Sequence, residues 1–120
     1  MVGYCRAVRF DNQIFVSGTA PISEDGSVAA PGDPTGQARQ CIEIAKTAIE
    51  ALGGSLADVV QTRVYLADSN DWEKVGDAHR QYFSEIKPAS TMLQVAQLLN
   101  PEWLVEIEFH AIVCNSHEPK

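Results

Sequence analysis

Glu106, Glu108 and His110 fall at every second position of Leu104–Val113. Two carboxylates beside an imidazole are groups that can hold a water and move protons near neutral pH. Side chains alternate between faces along a strand, so these three share one face, between Leu104 and Ile112. Val105, Ile107, Phe109, Ala111 and Val113 make the other, wholly apolar face. Glu106 has two readings. Partial burial would raise its proton affinity and let it polarise a water, or it forms a structural ion pair with Arg63 or with an Arg of a second chain. Glu108 reads as structural. No second His or Cys stands at ligand spacing near His110, which reads as a hydrogen-bonded structural residue.

The elements that must position these groups follow from pattern. Tyr4–Phe10 and Gln13–Ser17 flank Asp11-Asn12 as a hairpin, with Tyr4, Arg6 and Val8 on one face of the first strand. Ile22–Pro34 is loop-like. Asp33 caps a helix with Pro34 at its first position, and Ala38, Cys41, Ile42, Ala45, Ala48, Ile49 and Leu52 form its buried stripe. Gly53-Gly54 stops it.

Val59–Leu66 is the next strand, with Val60, Thr62, Val64 and Leu66 on its apolar face. A second helix is predicted from a capping box of Asn70 and Glu73, burying Trp72, Val75, His79, Tyr82, Phe83 and Ile86 and ending at Lys87-Pro88. Ser90–Leu98 and Leu104–Val113 are the last strands. Asn115–Lys120, with His117, reads as a frayed tail. The order β-β-α-β-α-β-β gives an α+β fold, a mixed sheet with two helices on one face. The face left over carries Phe15, Arg63, Tyr65, Gln94, Glu106, Glu108 and His110, which mixes aromatics with charges. Another copy of the chain is expected to cover it.

The 120 residues suit one domain, 1–120, and 45% hydrophobic residues suffice for a core. A formal charge of −7 counts against a phosphate-gripping surface, so no nucleic-acid partner is expected. Three cysteines, Cys5, Cys41 and Cys114, form no CxxC pair and cannot all pair within one chain. No run approaches the ~20 apolar residues of a membrane span. Arg6 and Arg9 stand where a signal peptide needs its apolar core, so the cytoplasm is the expected compartment.

Gly3-Tyr4, Arg6-Ala7-Val8, Phe15-Val16-Ser17-Gly18, Gln37–Gln40, Asp58-Val59-Val60, Tyr82-Phe83, Pro88-Ala89 and Val105-Glu106-Ile107-Glu108 occur in an order that resembles the Rid superfamily. These are the reactive intermediate deaminases, also described as translation-inhibitor or perchloric-acid-soluble proteins. The resemblance covers nearly the whole chain. It implies a chorismate-mutase-like fold, a homotrimer with helices outside, and small-molecule pockets at the subunit boundaries. It also implies hydrolysis of an imine or enamine to a carbonyl compound and ammonia, with no metal or organic cofactor.

Carried over residue by residue, the resemblance makes Glu106 the group that positions water. Tyr4, Ser17 and Gly18 shape the pocket. The Arg that grips a substrate carboxylate falls on Ser90, a family Asn falls on Gly76, and a family Cys falls on Met92. Arg offers a fork of two charge-assisted hydrogen bonds where Ser offers one neutral hydroxyl. The pattern is that of a branch lacking the carboxylate-binding Arg. Arg6, on the Tyr4 face, or Arg63 is a candidate replacement cation. The expected substrate therefore differs from 2-iminopropanoate. The alternative is a non-catalytic trimer that binds a metabolite or a protein through the same clefts. A ribonuclease activity, attributed to some relatives, lacks the basic-aromatic strip it would need.

Overall fold

The computed structural model describes residue 3 and residues 5–114. Its elements run β1 Ala7–Phe10, β2 Gln13–Thr19, α1 Pro34–Ala51, β3 Val59–Leu66, α2 Trp72–Phe83, β4 Ala89–Gln94 and β5 Val105–Ile112. Tyr4 and the expected tail Asn115–Lys120 lie outside the described residues.

The strands form one sheet in the order β1-β2-β5-β3-β4. β1–β2, β2–β5 and β5–β3 are antiparallel, whereas β3 and β4 are parallel and joined by α2. β5 thus lies in the middle, which explains its clean alternation. Val105, Ile107, Phe109 and Ala111 are buried and the four residues between and after them are half-buried. The buried set packs with Ile14, Val16, Val64 and Leu66 beneath Ala38, Cys41, Ile42, Ala45 and Ile49 of α1 and Val75, Ala78 and Phe83 of α2. One cluster holding both helices leaves the other face of the sheet uncovered in the single chain. This is the α+β arrangement that the pattern predicts.

Local chemistry sets the boundaries. Asp33 caps α1 through Gly36 N–H (3.1 Å), and Pro34 follows at the first turn. α1 ends at Ala51 with Leu52 as its C-cap, followed by Gly53 at φ +88°, a conformation that costs glycine little. The start of α2 differs from the capping box predicted at Asn70. Asp68 accepts from Asn70 N–H (2.9 Å) and opens a short 3₁₀ turn, Ser69–Asp71, that leads into α2. Trp72 is thereby turned outward and is 58% exposed rather than core. Lys87 takes φ +52° as the chain leaves the turn after α2.

Three strand readings change. β1 begins at Ala7 rather than Tyr4. β4 ends at Gln94 rather than Leu98, because its one neighbour, β3, ends at Leu66, the partner of Gln94. On β3 the register slips between Val59 and Gln61, which places two residues against one of β5. This bulge at Val60 buries Val59 and leaves Val60 exposed, the reverse of strict alternation at that end.

Candidate active site

β2 carries a second bulge, and it builds a cleft. Val16 pairs with Phe109 and Thr19 with Ile107, so Ser17 and Gly18 together oppose Glu108. At this bulge Gly18 lies against the side chain of Glu106. A Cβ on Gly18 would overlap the Glu106 carboxylate and sit 3.2 Å from its carboxyl carbon. Glycine is needed here for space and not for a left-handed backbone.

Ser17 ties down the segment before β1. Its N–H donates to the Arg6 carbonyl (3.0 Å) and its hydroxyl to the Cys5 carbonyl (2.8 Å). The hydroxyl proton is therefore used in the frame, and the contribution of Ser17 to the cleft is one of shape.

Arg6, Ser17, Gly18, Ala20, Ile22, Leu99, Trp103 and Glu106 line this cleft, of about 210 Å³. The wall opposite the bulge is the loop before β5. It is clamped from inside by Gln37 of α1, fully buried, whose amide donates to Glu102 O (3.1 Å) and accepts from Leu104 N–H (2.8 Å). Trp103, between those two residues, is held in place by that clamp. Leu99, 95% exposed, stands at the rim.

Glu106 itself makes no hydrogen bond or ion pair among the described residues, where the one ion pair is Arg80–Asp77. Burial, and then the charge of Glu108, hold its carboxyl above the usual carboxylate range. Arg63 stands across from Glu108, not Glu106.

The rest of the open face is more fully knit. Tyr65 donates to Glu108, and that bond, followed by burial, pushes its phenol up. His110 Nε2 meets Gln13 Oε1 at 2.9 Å, and the ring stacks on Phe15 with centroids 4.5 Å apart. Phe15, Gln61, Arg63, Glu108 and His110 surround a hollow of about 190 Å³. Val8, Phe10, Phe15 and Leu93 leave apolar surface exposed beside it.

Of the sequence-predicted residues, the structure brings Arg6, Ser17, Gly18 and Glu106 together. Tyr4 lies outside the described residues. Ser90 and Met92 are elsewhere: they pair with Thr62 and Val64, which face the helices, whereas Glu106 pairs with Tyr65 on the open face. Met92 packs against the core, and Ser90 accepts from Thr62 Oγ1 at 2.8 Å. Thr62 also meets His79 Nε2 at 2.9 Å. Within one chain, then, the Ser90 hydroxyl and the Glu106 carboxylate lie on opposite sides of the sheet. Gly76 has open space around it. Cys41 is buried and its thiol is pushed far up by that burial, while Cys5 and Cys114 are exposed.

Sequence reading missed Gln37, Thr62 and Trp103. A Gln at an inward position of an apolar helix stripe, and a Thr amid the valines of a strand, were the available signals. Among the described residues no group of three or more His, Cys, Asp or Glu is placed to hold a metal ion, and no helix is long and apolar enough to cross a membrane.

Residues 1–113 match the family model described as endoribonuclease L-PSP. The chain is 38% identical over 105 residues to a RutC family protein of Pyrococcus horikoshii, covering 88% of this chain and 82% of that protein. It is 36% identical over 104 residues to the 3-aminoacrylate deaminase RutC of Acinetobacter baylyi, covering 87% and 82%. A crystal structure from Mycobacterium tuberculosis, of a member of the YjgF/YER057c/UK114 family, superposes with TM-score 0.83 at 40% identity, covering 93% of this chain and 88% of that one. A bulged strand set against the Glu106 carboxylate of the central strand, on an open-faced five-stranded sheet, thus comes with relatives along almost its whole length, and the chain belongs to the Rid (YjgF) superfamily, the endoribonuclease L-PSP family.

Proposed function

We propose that this chain is a cytoplasmic homotrimer whose subunit-boundary pockets hydrolyse a small imine or enamine to a carbonyl compound and ammonia. The observation that carries this reading is the state of Glu106. Among the described residues it is a half-buried carboxylate without an ion-pair partner, raised in proton affinity, in a cleft that also holds Arg6. Such a group takes a proton from water as the water oxygen bonds to the imine carbon. It returns that proton to nitrogen to give the carbinolamine, then passes the carbinolamine hydroxyl proton to nitrogen as the C–N bond breaks, leaving the carbonyl compound and ammonia. An enamine enters this sequence once an N–H proton has moved to its β-carbon. No cofactor is required by that balance.

The trimer is supported by the uncovered sheet face, with exposed Val8, Phe10, Phe15 and Leu93 around the Arg63 hollow. It is also supported by the separation of Ser90 from Glu106. Two groups on opposite sides of one sheet line one pocket only if a second copy supplies one of them. Met92, two residues along, would reach the same boundary with Ser90. The pocket would offer a substrate carboxylate Arg6 and the Ser90 hydroxyl instead of a planar guanidinium fork at position 90. The substrate would then differ from 2-iminopropanoate. The name of the Acinetobacter baylyi relative makes 3-aminoacrylate the first enamine to offer.

The test is ammonia release from freshly generated 2-iminopropanoate and 3-aminoacrylate by wild type, Glu106→Gln and Ser90→Arg, with the assembly state of each measured by light scattering. Release by wild type and a loss of at least about a hundredfold in Glu106→Gln, with an intact trimer, is the expected result. A monomeric wild type sinks the interfacial pocket. An inert wild-type trimer that gains activity on 2-iminopropanoate as Ser90→Arg points to a binding role or another substrate.

A further inference from the structure

One polar constellation outside the Glu106 cleft ends at the surface. His79 of α2, Thr62 of β3 and Ser90 of β4 form a chain of two hydrogen bonds, 2.9 and 2.8 Å long. Thr62 is fully buried among Val64, Leu66 and Phe109, where a valine would fill the same volume and demand no partners. A buried hydroxyl is costly unless satisfied, and this one is satisfied on both sides. His79 is packed against Phe83, ring centroids 4.7 Å apart, and burial keeps the imidazole neutral by lowering its pKa. Ser90, by contrast, is exposed on an edge strand.

The chain has a direction. Thr62 has a single hydroxyl proton, and the heavy-atom geometry suits its donation to Ser90 Oγ. The second bond then needs the imidazole in its Nε2–H form, donating to Thr62 Oγ1. Ser90 Oγ already receives a proton from inside the fold, so its own proton is left to point outward. We propose that His79, acting through Thr62, fixes Ser90 as an outward-pointing hydrogen-bond donor for a carbonyl or carboxylate oxygen of the ligand.

This deepens the reading of Ser90 as part of a ligand pocket, and rests on it. His79 and Thr62 are positioning residues, because neither touches the ligand. A single neutral donor also defines a ligand class. It serves a ketone, an amide or a carboxylate oxygen alike, where a guanidinium fork selects the carboxylate.

The chain is tested by nitrogen and carbon NMR of the histidines at pH 7.5, with pyruvate as the probe. Without pyruvate, His79 is expected in the Nε2–H form, and the Nδ1–H form would overturn the proposal. With pyruvate, wild type is expected to show a shift at His79, transmitted through two hydroxyls. In Thr62→Val the His79 response should vanish and affinity should fall roughly three- to tenfold, the worth of one neutral hydrogen bond. Thr62→Ser, which keeps the hydroxyl, should restore both; a Val and a Ser variant that behave alike would defeat the idea. Should Thr62→Val not fold, Ser90→Ala makes the same cut at the surface end, and an unchanged pyruvate affinity there is equally fatal. Absence of any pyruvate response in wild type also overturns the donor role. It leaves the Glu106 reading to stand or fall on ammonia release.

Discussion

The two faces of the sheet treat polar groups in opposite ways. On the helix side, Gln37 and Thr62 are fully buried and each is held by two or more partners. On the open side, Glu106 lies half-buried over Gly18 with no hydrogen bond or ion pair among the described residues. The first kind of group stabilises by being satisfied, and the second stores a mismatch that a ligand or water can relieve. A polar residue's depth alone does not say whether it is structural. What separates the two faces is whether the fold has already used the group's donors and acceptors.

The comparison predicts a large stability effect on the helix side. Gln37→Leu would strand Glu102 O and Leu104 N–H without their amide partner. At ~1–3 kcal/mol per stranded group, the loss should be about 3 kcal/mol, visible as a lower urea midpoint. Because Trp103 lies between those two residues, ligand affinity in the Glu106 cleft should fall as well. A Gln37→Leu chain as stable as wild type would erase the distinction between the faces.

On the open side the balance should reverse. Gly18→Ala forces the Glu106 carboxylate aside, but that carboxylate is the far end of a flexible side chain, so the fold should lose under ~1 kcal/mol. A shift of about 1 Å in a catalytic group is worth roughly a hundredfold in rate. Turnover of whichever enamine the wild type accepts should therefore drop far more than stability does. Equal damage to both would mean that Gly18 and Glu106 serve packing alone.

Much of this arrangement was legible in residue pattern, and the part that was not has a common cause. Alternation along β5, the Asp33-Pro34 start and the Gly53-Gly54 stop depend on neighbours in sequence, and they were read correctly. The bulges at Val60 and at Ser17-Gly18 depend on how β5 pairs with two different strands, which no single segment reveals. The burial of Gln37 is settled by a loop 65 residues away. Asn70 does not cap α2 because it falls inside a 3₁₀ turn that Asp68 caps, and only the path of the chain out of β3 places that turn there. The family pattern placed Ser90 beside Glu106 in function; the parallel pairing of β4 with β3 puts the two on opposite sides of one chain.

The smallest expected effect is also the most direct reading of the mismatch at Glu106. Its carboxyl is raised in the folded chain, by burial first and by Glu108 second. Between the unfolded and folded pKa values the native state holds more protons than the unfolded state. Stability must then fall as pH rises through that window. Glu106→Gln removes the charge, so the variant should match wild type near pH 4 and exceed it slightly above the folded pKa, by urea unfolding at both. A buried ion pair with Arg63 or another cation would produce the opposite slope, with the variant weaker at neutral pH. The sign of one small difference therefore decides whether Glu106 is held in readiness for chemistry or is part of the scaffold.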